Sequence, residues 1–224
     1  MSSLVALLLF TTNQADAGIL LQFKPPLNRA YRYAIETTLG AGTGAPIKVE
    51  KTVTATGLDK GVYTVVTKFN SVSLGATTEG IPQAERFLKQ QVVTQTVDGA
   101  GRILSSDAIR ATAALMIGGL EALNAVTFPP NPVKVGDSWQ GKSELGGARQ
   151  VVGLKLVSVR EEHGRRLARL EMSLIEPPPS LQMAMAIPLE VDAETGVLRR
   201  LELKSSLTDA GGKKTTVHVL IEGR

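Results

Sequence analysis

The chain of 224 residues contains no cysteine. That excludes a disulfide framework, thiolate metal ligands, a cysteine nucleophile and a cysteine for lipid attachment. Aromatic residues make up only 4% of it, so the core must be built from Val, Leu, Ile, Ala and Met. Histidine occurs twice. His163 stands in a charged turn and His218 on the polar side of a strand pattern, with no metal-ligand spacing between them. Net charge is only +4, and the basic pairs Arg165–Arg166, Arg199–Arg200 and Lys213–Lys214 lie among carboxylates. A nucleic-acid surface needs clustered basic residues with rings for stacking, and neither is present. No Gly-x-Ser-x-Gly elbow occurs. The run Gly40-Ala41-Gly42-Thr43-Gly44 lacks the Lys-Ser/Thr ending of a phosphate loop and lies between two strand patterns. These absences set the expectation of a protein that is not an enzyme, with no metal, no cofactor and no nucleic-acid partner.

No hydrophobic run is long enough to cross a bilayer as a helix. The run Leu4 to Phe10 is far too short. It precedes Ala15-Asp16-Ala17, and an apolar stretch ahead of small residues at −3 and −1 has the form of a secretory signal peptide, although no Lys or Arg precedes it. Residues 1–17 are therefore expected to direct export, with cleavage before Gly18. The compartment expected is periplasmic or extracellular. Residues 18–224 are expected to form one β-rich domain.

Period-two alternation dominates the rest, and it places large apolar side chains on one face of a strand. In Leu181 to Val191 every odd position is large and apolar. Tyr31, Tyr33 and Ile35 alternate with polar or small residues, as do Ala168, Leu170, Met172 and Leu174, and Val217, Val219 and Ile221 do so apart from Leu220. Ile47, Val49, Val53 and Ala55 do the same, with Lys51 the one break. Such strands belong to antiparallel sheets with one wet face. Leu58-Asp59-Lys60-Gly61, Asp98-Gly99-Ala100-Gly101, Glu162-His163-Gly164 and Asp209-Ala210-Gly211-Gly212 read as turns between them.

One long helix is expected from about Ser106 to Val126. Ser106 can cap it, Ile109, Ala113, Met116, Leu120 and Leu123 share one face, and Pro129 and Pro130 end it. No charge lies between Ala111 and Leu120, so the helix is expected to be buried. The layout of strands and turns over about 29–104 resembles that over 133–207, which suggests an internal duplication. The fold class expected is mainly β: a curled antiparallel sheet, or half-barrel, around one long buried helix.

After the two prolines, Asn131-Pro132-Val133-Lys134-Val135-Gly136-Asp137-Ser138-Trp139 follows. It resembles a Val-x-x-Gly-Asp-Ser/Thr-Trp motif of uncharacterised exported bacterial β-rich proteins. The strands, single helix and signal-like start also resemble the lipoprotein-carrier-like half-barrel superfamily. That resemblance implies a sheet curled around a helix, with acyl chains held in the hollow. From the residues themselves the motif has a structural explanation: Gly136 can take positive φ, Asp137 can fix the turn, and Trp139 can cover the helix end.

The expected function is binding of a lipid or other apolar ligand in a hollow lined by Met116, Leu120, Met183, Met185 and Ile187. Methionine adapts to irregular ligands. The alternative is a structural or protein-interaction module of the cell envelope with a packed core and no ligand.

Overall fold

The computed structural model describes residues 18–39, 45–75, 81–107, 126–145, 148–175, 181–183, 186–208 and 214–223. The alternating segments form strands β1 (Ala30–Leu39), β2 (Ile47–Asp59), β3 (Val62–Ser73), β4 (Val92–Asp98) and β5 (Ile103–Ser106). The later ones are β6 (Ser138–Leu145), β7 (Ala148–Glu162), β8 (Arg165–Leu174), β9 (Leu181–Met183), β10 (Ile187–Asp192), β11 (Leu198–Thr208) and β12 (Lys214–Gly223). All belong to one open antiparallel sheet, a curled half-barrel ordered β5-β4-β3-β2-β1-β12-β11-β10-β8-β7-β6, with β9 added against β11. The first five strands thus form a meander, and β12 joins it to a second stretch that runs from β11 back to β6.

Strand pairing lines up the inward residues in rows across the sheet. One row runs Val72–Val49–Ile35–Ile221–Leu201–Leu189–Leu170–Leu156, through eight strands without a polar residue. Six of its members, Ile35 and the five after it, are buried. Each such cross-strand pair contributes a few tenths of a kcal/mol up to about 1 kcal/mol relative to an alanine pair, so a row of this length fixes the register.

Two hairpins share one turn device. Lys60 and Gly61 connect β2 to β3 with φ of 48° and 82°, and His163 and Gly164 connect β7 to β8 with 49° and 73°. Positive φ at both central residues is the type I′ geometry, whose twist matches that of the strands.

The Asp98 and Asp192 turns also match. The Asp98 carbonyl accepts from Gly101 N at 2.9 Å, and the Asp192 carbonyl from Gly196 N at 2.8 Å. Each carboxylate caps its own turn: Asp98 Oδ1 accepts from Ala100 N and Arg102 N, and Asp192 Oδ1 from Glu194 N and Thr195 N. Two segments lash these turns together. Phe23 N donates to Gly99 O and Lys24 N to Thr195 O, each at 2.8 Å, while Phe128 N donates to Ala100 O. The segments bond to each other through Ile19 and Val133, which exchange both backbone hydrogen bonds at 2.8 Å. Leu21, Val126, Phe128 and Val133 bury themselves in the main core against β1, β7, β8 and β10 to β12.

A helix that the strand patterns do not announce, α1 (Ile81–Gln90), packs on β3. Its composition is rich in good helix formers, Pro82 sits in the first turn, and Lys89 suits the last. Glu85 Oε1 accepts from Leu74 N at 2.7 Å, which ties the helix to the end of β3, and Leu88 is its buried residue. The expected helix over 106–126 falls on residues 108–125, outside the described set. Ser106, the expected cap, ends β5 opposite Gln95. Asp107 prolongs that pairing, exchanging hydrogen bonds with Thr94 through its backbone N and its carboxylate.

The strand expected over Leu181 to Val191 is two pieces, β9 on β11 and β10 between β8 and β11. Pro188 sits opposite Glu171 in β8, ahead of the pairing with β11, which covers only Leu189 to Val191. A residue without an N–H is tolerated where one side of the ladder has not begun.

Gly196 has φ +66°, and a Cβ there would meet the Gln22 carbonyl and lie 2.8 Å from the Phe128 ring. Gly196→Ala is expected to lower stability by about 3 kcal/mol, from backbone strain and overpacking together. Urea denaturation would check this; an unchanged midpoint would mean that the clamp on the turn is not tight.

Candidate functional site

Of the five residues expected to line a hollow, Met116, Leu120 and Met185 lie outside the described residues. Met183 ends β9 opposite Ser205, and its side chain is not described. Ile187 is buried in the main core opposite Met172. The described structure therefore does not bring the five together.

It does display the apolar face they would share. The row of Ile35 and Leu201 has apolar neighbours on either side. On one side stand Ile47, Val219 and Leu203, with Thr37 between the first two. Beyond them come Leu39 and Val217, and then Ser205, which pairs with Met183. On the other side stand Phe69, Lys51, Tyr33 and Gly223 in one cross-strand row. Farther on come Thr67, Val53 and Tyr31, near the segments that lash the Asp turns.

Lys51 is the anomaly. A lysine stands where the alternation of β2 demands an apolar residue, and it is only 2% exposed. Its Nζ lies 5.8 Å from the centre of the Tyr33 ring. Neither a hydrogen bond nor an ion pair reaches it among the described residues, and it meets the Tyr33 ring face. Burial pushes its ammonium well below the usual lysine range.

The neighbouring phenol is held firmly. Tyr33 Oη donates to Leu198 O at 3.1 Å, and burial raises its pKa above the ordinary phenol value. Gly223 leaves room for that ring: a Cβ there would lie 3.3 Å from Tyr33 Cε1. Tyr31 lies between two guanidinium groups, Arg29 at 5.6 Å and Arg199 at 5.8 Å from its centre. Arg199 also faces Asp192 Oδ2 at 3.5 Å, and its Nε is buried with no hydrogen-bond partner among the described residues. Tyr31, Arg29 and Arg199 gather at the Asp192 turn.

The Gly-Asp-Ser-Trp motif is structural in its geometry. Gly136 has φ +100°, Asp137 Oδ2 accepts from Lys134 N at 2.8 Å, and Trp139 Nε1 donates to Thr127 O at 2.7 Å. Trp139 therefore anchors the segment that follows residue 125; the helix end it is expected to cover lies outside the described residues. His218 faces Glu202 Oε1 at 3.2 Å on the outer side, and His163 is exposed. No cluster of three metal-binding side chains occurs among the described residues, and no described helix is long and apolar enough to cross a membrane.

No protein-family model and no curated protein matches the chain. Solved structures do. The hypothetical lipoprotein YmcC of Escherichia coli is similar at 11% identity and TM-score 0.29, over 86% of each chain. A LolA superfamily protein of Nitrosomonas europaea is similar at 11% identity and TM-score 0.29, over 90% of this chain and 86% of that one. A DUF1329 family protein of Desulfovibrio piger is similar at 10% identity and TM-score 0.24, over 87% of this chain and 83% of that one.

The position of Lys51 sets a pH dependence. In the unfolded chain it titrates at its ordinary value of 10.5, and in the folded chain well below that. Between the two values the unfolded chain holds the extra proton, so this residue makes stability rise with pH across the window and fall as pH drops through it. Tyr31 and Tyr33, whose pKa values are raised, act oppositely and only above about 10. Lys51→Met is therefore expected to be more stable than the parent near pH 7. The gap should narrow toward pH 10 by up to about 1.4 kcal/mol per pH unit. Parallel stability curves for the two proteins would contradict a buried, unpaired amine.

Proposed function

We propose that the protein is exported and binds a lipid or other apolar ligand against the inner face of the half-barrel, without catalysing a reaction. The observation that carries this reading is the apolar row through eight strands from Val72 to Leu156, set in an open sheet. A sheet face of that extent needs a cover, because apolar surface left in water costs about 25 cal/mol per Å². The described cover, residues 18–25 and 126–133, gathers at the end of the sheet that carries the Asp98 and Asp192 turns. The rows beyond, from Ile47 and Val219 to Met183, continue the apolar face away from that end. Met116, Leu120, Met183, Met185 and Ile187 are proposed to contact the ligand there. The internal duplication of residues 29–104 and 133–207 is proposed as the origin of the paired turns, and the face built by both halves is the ligand surface.

Native mass spectrometry of the purified full chain is expected to detect copurified lipid. The double substitution Met183→Trp, Met185→Trp should keep the far-UV circular dichroism spectrum and lose a fluorescent fatty-acid probe, because the rings take the probe's volume. Protein taken from its native cell should begin at Gly18. A parent protein that carries no lipid and binds no acyl probe at micromolar concentration would overturn the binding reading and leave the envelope interaction module in its place.

A further inference from the structure

We propose that the ligand is a long-chain free fatty acid, its carboxylate paired with the Lys51 ammonium and its chain laid along the apolar rows toward β9; this rests on the acyl-binding reading above. The argument begins with the position of the amine. Strand pairing seats Lys51 between Phe69 and Tyr33, in the row next to Val72, Val49 and Ile35 on one side and Thr67, Val53 and Tyr31 on the other. Those eight neighbours offer hydrocarbon, rings and hydroxyl groups, and no carboxylate. Glu50, next in the chain, is exposed on the opposite face. The Tyr33 hydroxyl is committed as a donor to Leu198 O. A lysine kept in such surroundings is costly unless something supplies the missing charge.

Among the described residues no carboxylate meets the amine, so the partner proposed is an anion that arrives with apolar surface of its own. A carboxylate is the smallest such group. A phospholipid carries its charge on a bulky hydrated headgroup, whereas Lys51 is only 2% exposed and leaves room at most for a small anion. The rows also give the ligand a direction. On the Tyr31 side of Lys51 the face is taken up by Phe23, packed edge-on to Tyr63 at 5.5 Å, and by the other residues that lash the Asp turns. On the Ile35 side the rows run through Val219 and Val217, broken only by the buried Thr37, with Met183 beyond Ser205. A carboxylate at Lys51 leaves the chain only that second direction.

Binding of the anion favours the protonated form of the Lys51 amine. An unprotonated Lys51 amine takes up a proton from water as the carboxylate enters, giving an ammonium–carboxylate pair with no net charge. Among the described residues the titratable and charged groups near it are Tyr33 and Tyr31 on β1, with Arg29 and Arg199 against Tyr31 and Arg199 also acting on Tyr33 and facing Asp192. On β3 the facing residues, Phe69 and Thr67, do not titrate.

The test compares palmitic acid, methyl palmitate, hexadecanol and dipalmitoyl phosphatidylglycerol on the delipidated full chain and on Lys51→Met. The parent should prefer palmitate to the ester and the alcohol by roughly tenfold or more, the scale of one charge-assisted hydrogen bond. Its palmitate affinity should weaken as pH rises toward the lysine range, while ester affinity stays flat. In Lys51→Met, with folding checked by circular dichroism, the preference should vanish. If that variant does not fold, the acid-to-ester ratio and its pH profile in the parent still decide. Equal affinity of the parent for acid, ester and alcohol would overturn the role of Lys51 and leave acyl binding intact. Preference for the phospholipid would overturn the fatty-acid assignment. Failure of every acyl compound to bind would overturn the acyl-binding reading itself.

Discussion

Everything in this structure follows from the need to cover one face of a sheet that does not close. A closed barrel hides its inner face and its edges together; an open sheet of twelve strands hides neither unaided. The inner rows are apolar because cross-strand pairing in two-residue periodicity puts every alternating Val, Ile and Leu on the same side. Burial of that side is what fixes the register of β1, β12, β11, β10, β8 and β7. A slip of one residue would turn Ile35, Leu201 and Leu170 into water. The outermost strands are treated differently: β5 is only four residues long and ends in Ser105 and Ser106, which blunts one edge.

The cover is held by backbone hydrogen bonds to two like turns. Asp98 and Asp192 each spend their carboxylate on the amides of their own turn, leaving the turn carbonyls free to accept from Phe23, Lys24 and Phe128. The close approach at Gly101 and Gly196 is what lets the Phe128 ring sit against both; a Cβ on Gly101 would lie 2.5 Å from Val126 O. The two stretches of sheet are thereby joined twice, through β12 and through the segments laid over the turns.

Much of this was legible in the sequence because its causes are local. Alternation located β1, β2, β8 and β12, and Asp-Lys-Gly and His-Gly marked the tight turns. Gly136, Asp137 and Trp139 announced a rigid corner, which the Lys134 amide and the Thr127 carbonyl complete. What stayed hidden is non-local. Strand order depends on which apolar faces meet across the chain, and nothing in Ala30–Leu39 names Lys214–Gly223 as its neighbour. Helix α1 carries its signal in helix-forming residues rather than in a long apolar stripe, since only Leu88 is buried. The run Leu181 to Val191 alternates without a break in side-chain pattern, yet it contributes two strands, β9 and β10, that pair with β11 at separate places. Methionine and lack of charge mark the five ligand-facing residues in the sequence; of these, Ile187 alone has a described side chain, and it lies in the core. Lys51 was visible as the break in β2, and the signal was its position: a lysine at an inward place in an alternating strand must be either misplaced in register or kept for its charge.

The register settles that alternative, since Val49 and Val53 on either side of Lys51 face inward opposite Ile35 and Tyr31. The amine is inside, against the Tyr33 ring, with no described carboxylate in reach. That burial is the central physical claim, because it makes the apolar face a surface with one chemically distinct point. The direct test is to titrate the Lys51 Nζ signal by NMR in ligand-free protein, assigned by its loss in Lys51→Met. The account predicts a midpoint well below the ordinary lysine value of 10.5, moving back up when palmitate is added. A midpoint at the ordinary value in the ligand-free protein would contradict it.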